Sequence, residues 1–115
     1  MQPLEIRVRE NKQFLSIAFK ADEIYELSAE LLRVESPSAE VKGHAGDEKK
    51  IVSGKKNVKI KALEPVGHYA LKITFDDGHS TGIYTWEYLQ ELGEKQDSLW
   101  SAYLGNLEKL NLTRD

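Results

Sequence analysis

The chain has 115 residues, 16 Lys plus Arg against 19 Asp plus Glu, and no cysteine. That length is enough for one domain that buries about two thirds of its unfolded surface without a staple, and zero cysteine excludes disulfide frameworks, thiolate zinc sites, iron–sulfur ligation and thiol nucleophiles. A net charge of −3 argues against bulk nucleic-acid binding; no apolar run nears the roughly 18 residues of a membrane span, and Met1-Gln2-Pro3-Leu4-Glu5 lacks a basic or apolar leader, so a soluble, cytoplasmic protein is expected.

Leu4, Ile6 and Val8 alternate with Glu5, Arg7 and Arg9, and after the polar turn Glu10-Asn11-Lys12-Gln13 the alternation returns at Leu15, Ile17 and Phe19. Period two on both sides of a polar turn predicts an antiparallel hairpin with one buried face. Ile24 to Leu27 reads as a third strand. Ser28 is placed to cap a brief helix through Leu31, Leu32 and Arg33, which Pro37 ends because the residue before proline is pushed out of the α region.

Between Lys42 and Lys61 stand seven lysines, two acids, three glycines and no aromatic. Residues 43–56 lack periodicity and read as a flexible loop. Val58, Ile60 and Ala62 then alternate with Lys59 and Lys61, which predicts a strand with a lysine-covered wet face. Leu71, Ile73 and Phe75 continue the pattern into Asp76-Asp77-Gly78-His79, whose Asp-Gly pair predicts a type I′ hairpin turn, with Gly82 to Tyr84 returning. Thr85 can cap a helix from Trp86 to about Leu92, closed by Gly93, and Asp97 or Ser98 can cap a second. In the second, Trp100, Tyr103, Leu104, Leu107 and Leu110 share one face. The expected fold is α+β over a single domain, 1–115: mostly antiparallel sheet, a short internal helix and two C-terminal helices packed on the sheet.

Two stretches carry a family resemblance. The string from Leu31-Leu32-Arg33 through Glu35-Ser36-Pro37-Ser38 to Gly43-His44 is one. The other begins at Val66-Gly67-His68-Tyr69-Ala70 and continues as Phe75-Asp76-Asp77-Gly78-His79-Ser80-Thr81-Gly82-Ile83-Tyr84-Thr85-Trp86-Glu87-Tyr88-Leu89. Together they resemble the gamma-butyrobetaine hydroxylase-like N-terminal domain family. The resemblance implies an accessory and assembly module, which in carnitine-synthesis hydroxylases precedes a separate iron- and 2-oxoglutarate-dependent catalytic domain. It also implies a zinc site formed by Cys-x-Cys-x-x-Cys and a later His. Here those places hold Ser36, Ser38, Val41 and His79, so three of four ligands are lost, and serine hydroxyls and valine do not replace thiolates. The same domain is similar to one appended to Mrp-type iron–sulfur carrier ATPases, but no phosphate-binding loop is present around Gly54-Lys55-Lys56.

Catalytic constellations are weak. The histidines are followed at the second position by Gly46, Ala70 and Thr81, so the His-x-Asp or His-x-Glu of a non-haem iron site is missing. Ser36, Ser38, His44, His68 and His79 invite a Ser-His-Asp reading, yet no Gly-x-Ser-x-Gly elbow exists. Asp76 and Asp77 read more simply as a turn than as an acid–base pair. Outside the lysine-rich segment the chain carries −8, and that segment has no aromatic for stacking bases. The sequence therefore predicts no enzyme and no cofactor. It predicts a non-catalytic accessory domain, monomeric or weakly dimeric, that contacts a protein through Ser36, Ser38, His44, Asp76, Asp77, His79, Tyr84 and Trp86, with no nucleic-acid or membrane partner. The alternative is a metal- or small-ligand-binding regulatory domain centred on His79, with His44 as its second ligand, linked to iron–sulfur carrier ATPases or to 2-oxoglutarate-dependent hydroxylases.

Overall fold

The first alternating segments form a meander in the computed structural model, which describes residues 1–42 and 49–115. β1 (Glu5–Arg9) pairs antiparallel with β2 (Phe14–Lys20), and β2 with β3 (Glu23–Ser28). The register sets Ile6 opposite Ile17 and Val8 opposite Leu15, so the apolar alternation falls on one face. Leu15 and Ile17 are sealed, whereas Val8 on the edge strand stays exposed. The turn between β1 and β2 holds Glu10, Asn11 and Lys12 in the left-handed region, with φ of 50°, 59° and 66°. Lys12 turns its carbonyl towards the second sheet, where it accepts the Ile60 N–H at 2.8 Å.

β3 runs straight into α1 (Ala29–Val34), and the Ser28 hydroxyl caps it by accepting the Leu31 N–H at 3.0 Å, as predicted. A single helical turn, α2 (Ala39–Lys42), follows Pro37. The second sheet comprises β4 (Ile60–Val66), β5 (Ala70–Phe75) and β6 (Gly82–Thr85), again antiparallel in chain order. A register shift between Ile60 and Ala62 breaks the predicted alternation on β4, so Ala62 is exposed and Leu63 turns inward instead. Residues 49–56 have no regular strand or helix but are pinned: Lys50 N–H bonds Val41 O, Gly54 N–H bonds Thr113 O, and Lys56 N–H bonds Arg114 O. The rest of the predicted loop, with His44, lies outside the described residues.

The α+β class holds, with the strands divided between two sheets and one long helix in place of two. α3 runs unbroken from Trp86 to Lys109, capped by Thr85, whose hydroxyl accepts the Tyr88 N–H at 3.1 Å. Gly93 does not terminate it. A Cβ on Gly93 would lie 2.3 Å from Tyr25 Cγ, so the glycine lets α3 press its backbone against the Tyr25 ring of β3. Asp97 and Ser98 stand inside the helix, Ser98 donating back to Lys95 O. The main core draws on both sheets, α1 and α3, with Leu15, Ile17, Leu27, Leu32, Ile73, Phe75, Tyr84, Leu89 and Leu92 almost wholly buried. Each such side chain contributes about 1.5–3 kcal/mol relative to exposure. A smaller cluster of Val34, Tyr103 and Leu107 anchors the far end of α3. No helix among the described residues is long and apolar enough to cross a membrane.

A buried serine–histidine clasp beside a basic cleft

The β5–β6 connection builds the site. Gly78 N–H bonds Phe75 O and Phe75 N–H bonds His79 O, closing a turn over residues 75–78. Only Gly78 takes a positive φ, 92°, so the predicted type I′ geometry, which needs two such residues, is not formed; the six-residue span 76–81 frees Asp77 from that demand. Asp76 grips the segment before β4, its Oδ1 accepting the Lys59 N–H at 3.0 Å. Asp77 Oδ1 accepts the His79 N–H at 3.0 Å, while Oδ2 receives Arg33 Nε at 2.8 Å and Lys55 Nζ at 2.7 Å. Burial alone would raise the Asp77 carboxyl, but Lys55, the His79 amide and Arg33 together hold it at about 2.

This turn drives His79 into the protein, leaving its side chain 3% exposed. Nδ1 lies 3.0 Å from Glu40 Oε2 and Nε2 lies 2.9 Å from Ser36 Oγ. The carboxylate beside Nδ1 assigns the proton there, so Nε2 accepts from the serine hydroxyl. Burial, helped by Arg33, pushes the imidazole below its ordinary range, against Glu40 and Asp77; His79 is therefore neutral near pH 7. Ser36 Oγ also accepts the Ser38 N–H at 3.3 Å, Ser38 Oγ pairs with Thr81 Oγ1 at 2.6 Å, and the Glu40 N–H reaches Ser38 Oγ at 3.2 Å. Gly82 makes the approach feasible, because a Cβ there would sit 2.5 Å from Ser36 Oγ. The hairpin and the α1–α2 connection are thus clasped through side chains 43 residues apart in sequence.

The predicted contact residues are mostly interior. Ser36 and Tyr84 are wholly buried, and Ser38, His79 and Trp86 are buried too, so these five do not form an exposed docking patch; that expectation is corrected. Polar Ser36, Ser38 and His79 tolerate burial because each has partners: Ser36 and His79 bond each other, His79 also meets Glu40, and Ser38 pairs with Thr81. Tyr84 donates its hydroxyl to Leu32 O, and Trp86 Nε1–H donates to His68 O at 2.8 Å. His68 joins through that backbone carbonyl and stands apart from the clasp. Tyr88 and Trp100 are half-buried: the Tyr88 hydroxyl donates to Glu35 O, and Trp100 lies under the Arg114 guanidinium, 5.2 Å from it. Asp76 and Asp77 remain at the surface.

The order serine, histidine, carboxylate matches a hydrolytic triad, with Glu40 as the acid. A nucleophile must meet its substrate, however, and Ser36 is 0% exposed while only Glu40 opens to solvent. Where the resemblance places a zinc ligand set, Ser36 and His79 do meet, yet two hydroxyls and Val41 supply no thiolate and Nε2 is engaged by Ser36, so the residues do not fit zinc. Among the described residues no three His, Asp or Glu gather as a metal site.

On the solvent side of the clasp, Glu40 and His79 join Arg33, Lys50 and Lys55 in lining a cleft of about 460 Å³, with Val41 and Val52 among its apolar walls. Sequence reading missed Arg33, Glu40, Lys55, Thr81 and Gly82 as site residues. For Glu40 a signal existed: Ser38-Ala39-Glu40 has a capping serine with an acid in the next turn, marking a helix start.

These features define an α+β domain of two small antiparallel sheets under one long helix, with a buried polar clasp joining the β5–β6 connection to the α1–α2 connection. The sequence model of the family described as gamma-butyrobetaine hydroxylase-like, N-terminal, matches residues 6–90, and the chain belongs to that family. An NMR solution structure of a protein 43% identical, covering 99% of this chain and 90% of that one, superposes with a TM-score of 0.86. A second NMR structure, also 43% identical, covers 98% of this chain and 84% of the other with a TM-score of 0.83. A crystal structure of a protein of unknown function in the DUF971 family, from Acidithiobacillus ferrooxidans, is 41% identical over 80% of this chain and 92% of that one, with a TM-score of 0.66. No curated protein matches the chain.

Proposed function

We propose that the protein is a non-catalytic accessory domain that acts by contacting another protein, with the Ser36–His79–Glu40 clasp doing the fastening that zinc does in cysteine-bearing relatives. The observation that carries this reading is the burial of Ser36: the hydroxyl poised against His79 has no route to a substrate. The contact surface shifts from the buried residues to the rim around them, formed by Asp76, Asp77, Lys50 and Lys55. Several lysines of the basic segment serve internal pairs, Lys42 and Lys49 with Glu35 and Lys55 with Asp77, which favours a protein partner over a nucleic acid.

The alternative, a metal- or ligand-binding regulatory domain centred on His79, has less support, because both ring nitrogens already have partners. The reading is tested with a photo-crosslinking residue at Asp76 and, as control, at Asp22 in the β2–β3 turn. A discrete protein adduct from position 76, absent from position 22 and competed by unlabelled protein, supports it. No adduct, or equal adducts from both positions, overturns it.

A further inference from the structure

A cleft of about 750 Å³ opens where β3, α1, the segment leading into β4, and α3 come together, a size within the roughly 300–1,000 Å³ of ligand sites. Leu31 and Val58 form buried parts of its wall, and two aromatic rings, Phe14 and Trp100, line it half-buried. Aromatic side chains in a recess are where protein contacts most often anchor. A smaller hollow of about 260 Å³ shares Lys56, Asn57, Val58 and Arg114 with this cleft and reaches Asp76 and Asp77. The cleft therefore continues from the rim assigned to partner contact.

Which partner it suits follows from charge. Three carboxylates line the cleft, Glu26, Glu30 and Asp97, against two cations, Lys56 and Arg114. Glu30 and Arg114 satisfy each other through two hydrogen bonds. Lys56 leans towards Asp115, which lies outside the cleft, its Nζ 3.7 Å from Oδ1. Glu26 on β3 and Asp97 on α3 are exposed and have no ion pair among the described residues. With the Glu30–Arg114 pair cancelled, Glu26, Asp97 and Asp115 stand against Lys56 alone, so the field there is negative. The cleft already displays the kind of group such walls hold: Arg114 lays its guanidinium over Trp100 and sets two N–H groups on a carboxylate.

We infer that the cleft seats a basic side chain, lysine or arginine, carried on an exposed segment of a protein partner, with Glu26 and Asp97 meeting the cation and Phe14 and Trp100 its aliphatic stem. A small free ligand suits it less well, because such sites bury most of their ligand, and here Glu26, Lys56, Asn57, Asp97 and Ser101 are all exposed. The inference deepens the proposed function by naming the chemistry of the partner, and it rests on that reading only for the source of the side chain.

Capped Gly-Arg-Gly, Gly-Lys-Gly and Gly-Gln-Gly peptides and putrescine, titrated at matched ionic strength into the ¹⁵N-labelled full chain, test it. Saturable shifts of the Trp100 indole N–H and the Asp97 amide are expected with the arginine peptide, the lysine peptide or both. The glutamine peptide should be silent, and the Trp86 indole, which donates to His68 O away from the cleft, should not move. Glu26→Gln and Asp97→Asn alter exposed side chains, so the fold survives, and each is expected to weaken binding about two- to fivefold, the range of an exposed ion pair. Weakening in either variant supports the site. Shifts that follow the glutamine peptide, fail to saturate, or keep an unchanged affinity in both variants overturn it, and putrescine binding more tightly than either basic peptide overturns the protein source. Saturable peptide binding with no adduct from position 76 would leave the cleft standing while removing the accessory-domain reading; an adduct without peptide binding would do the reverse.

Discussion

Gly93→Ala turns the continuity of α3 into a number. By helix propensity alone the change is favourable, since an interior glycine is about 1 kcal/mol worse than alanine. The structure predicts the opposite sign. The added methyl would sit 2.3 Å from Tyr25 Cγ and 2.6 and 2.7 Å from its Cδ atoms, far inside van der Waals contact. Tyr25 has little freedom to retreat: its hydroxyl donates to Glu23 at 2.9 Å, Glu23 also accepts from Gln90 of α3, and its ring packs edge-on against Phe19. Overpacking of this kind costs about 1–3 kcal/mol, and displacing the ring adds about 1 kcal/mol for its hydrogen bond. After the propensity gain, a net loss of about 1–3 kcal/mol remains, or a fall in Tm of roughly 4–12 °C for a domain of this size. Urea unfolding followed by far-UV circular dichroism measures it as a lower midpoint at unchanged slope. In a Tyr25→Ala background the same substitution should become neutral or stabilising. A higher midpoint for Gly93→Ala in the wild-type background would refute the packing argument and leave the glycine a simple helix defect.

Other outcomes follow from the clasp and the ion pairs. Folding holds His79 below its ordinary pKa, so its contribution is complete above about pH 6.5 and is lost as pH falls through the depressed folded value; His79→Gln should flatten stability between pH 7 and 5, where one such proton contributes at most about 1.4 kcal/mol per pH unit. Asp77, held at about 2, contributes stability present above about pH 4 and lost towards pH 2; Asp77→Asn should remove that acid limb in denaturant titrations at successive pH values. Arg114→Met leaves Glu30, 6% exposed and doubly bonded to Arg114, without its counter-charge, and should cost roughly 3 kcal/mol, measured by the same urea midpoint. A Ser36→Cys, Ser38→Cys, Val41→Cys variant should bind one Co²⁺ with tetrahedral thiolate absorption bands, His79 being already oriented through Nδ1 by Glu40; no such bands at stoichiometric metal would show that these positions do not converge as the family pattern implies.

Local chemistry was legible in the sequence. Ser28 and Thr85 both cap as their type and position predict, and the period-two runs at Leu15 to Phe19 and Leu71 to Phe75 face the core. What failed depended on neighbours distant in the chain. Gly93 has the same signature whether it ends a helix or admits an aromatic ring, and only the arrival of Tyr25 decides between them. Serine and histidine are ordinarily surface residues; Ser36 and His79 are interior because each is the other's partner across 43 residues, a pairing no periodicity encodes. Arg33 read as one more helix residue, since its link to Asp77 spans 44 positions. The family pattern marks Ser36, Ser38 and His79, but a ligand list carries no information about exposure, so sequence alone does not separate these interior positions from contact surface.

The Glu30–Arg114 pair also orders events in time. A growing chain makes Glu30 eighty-four residues before its partner, and a carboxylate that enters an apolar interior alone pays heavily in lost hydration. While synthesis is under way, α1 therefore has reason to stay undocked even though the strands before it are complete, and the first sheet waits with its inner face uncovered. Closure comes when residue 114 clears the ribosome, so a nascent chain stalled short of it should be the form most open to chaperones and proteases.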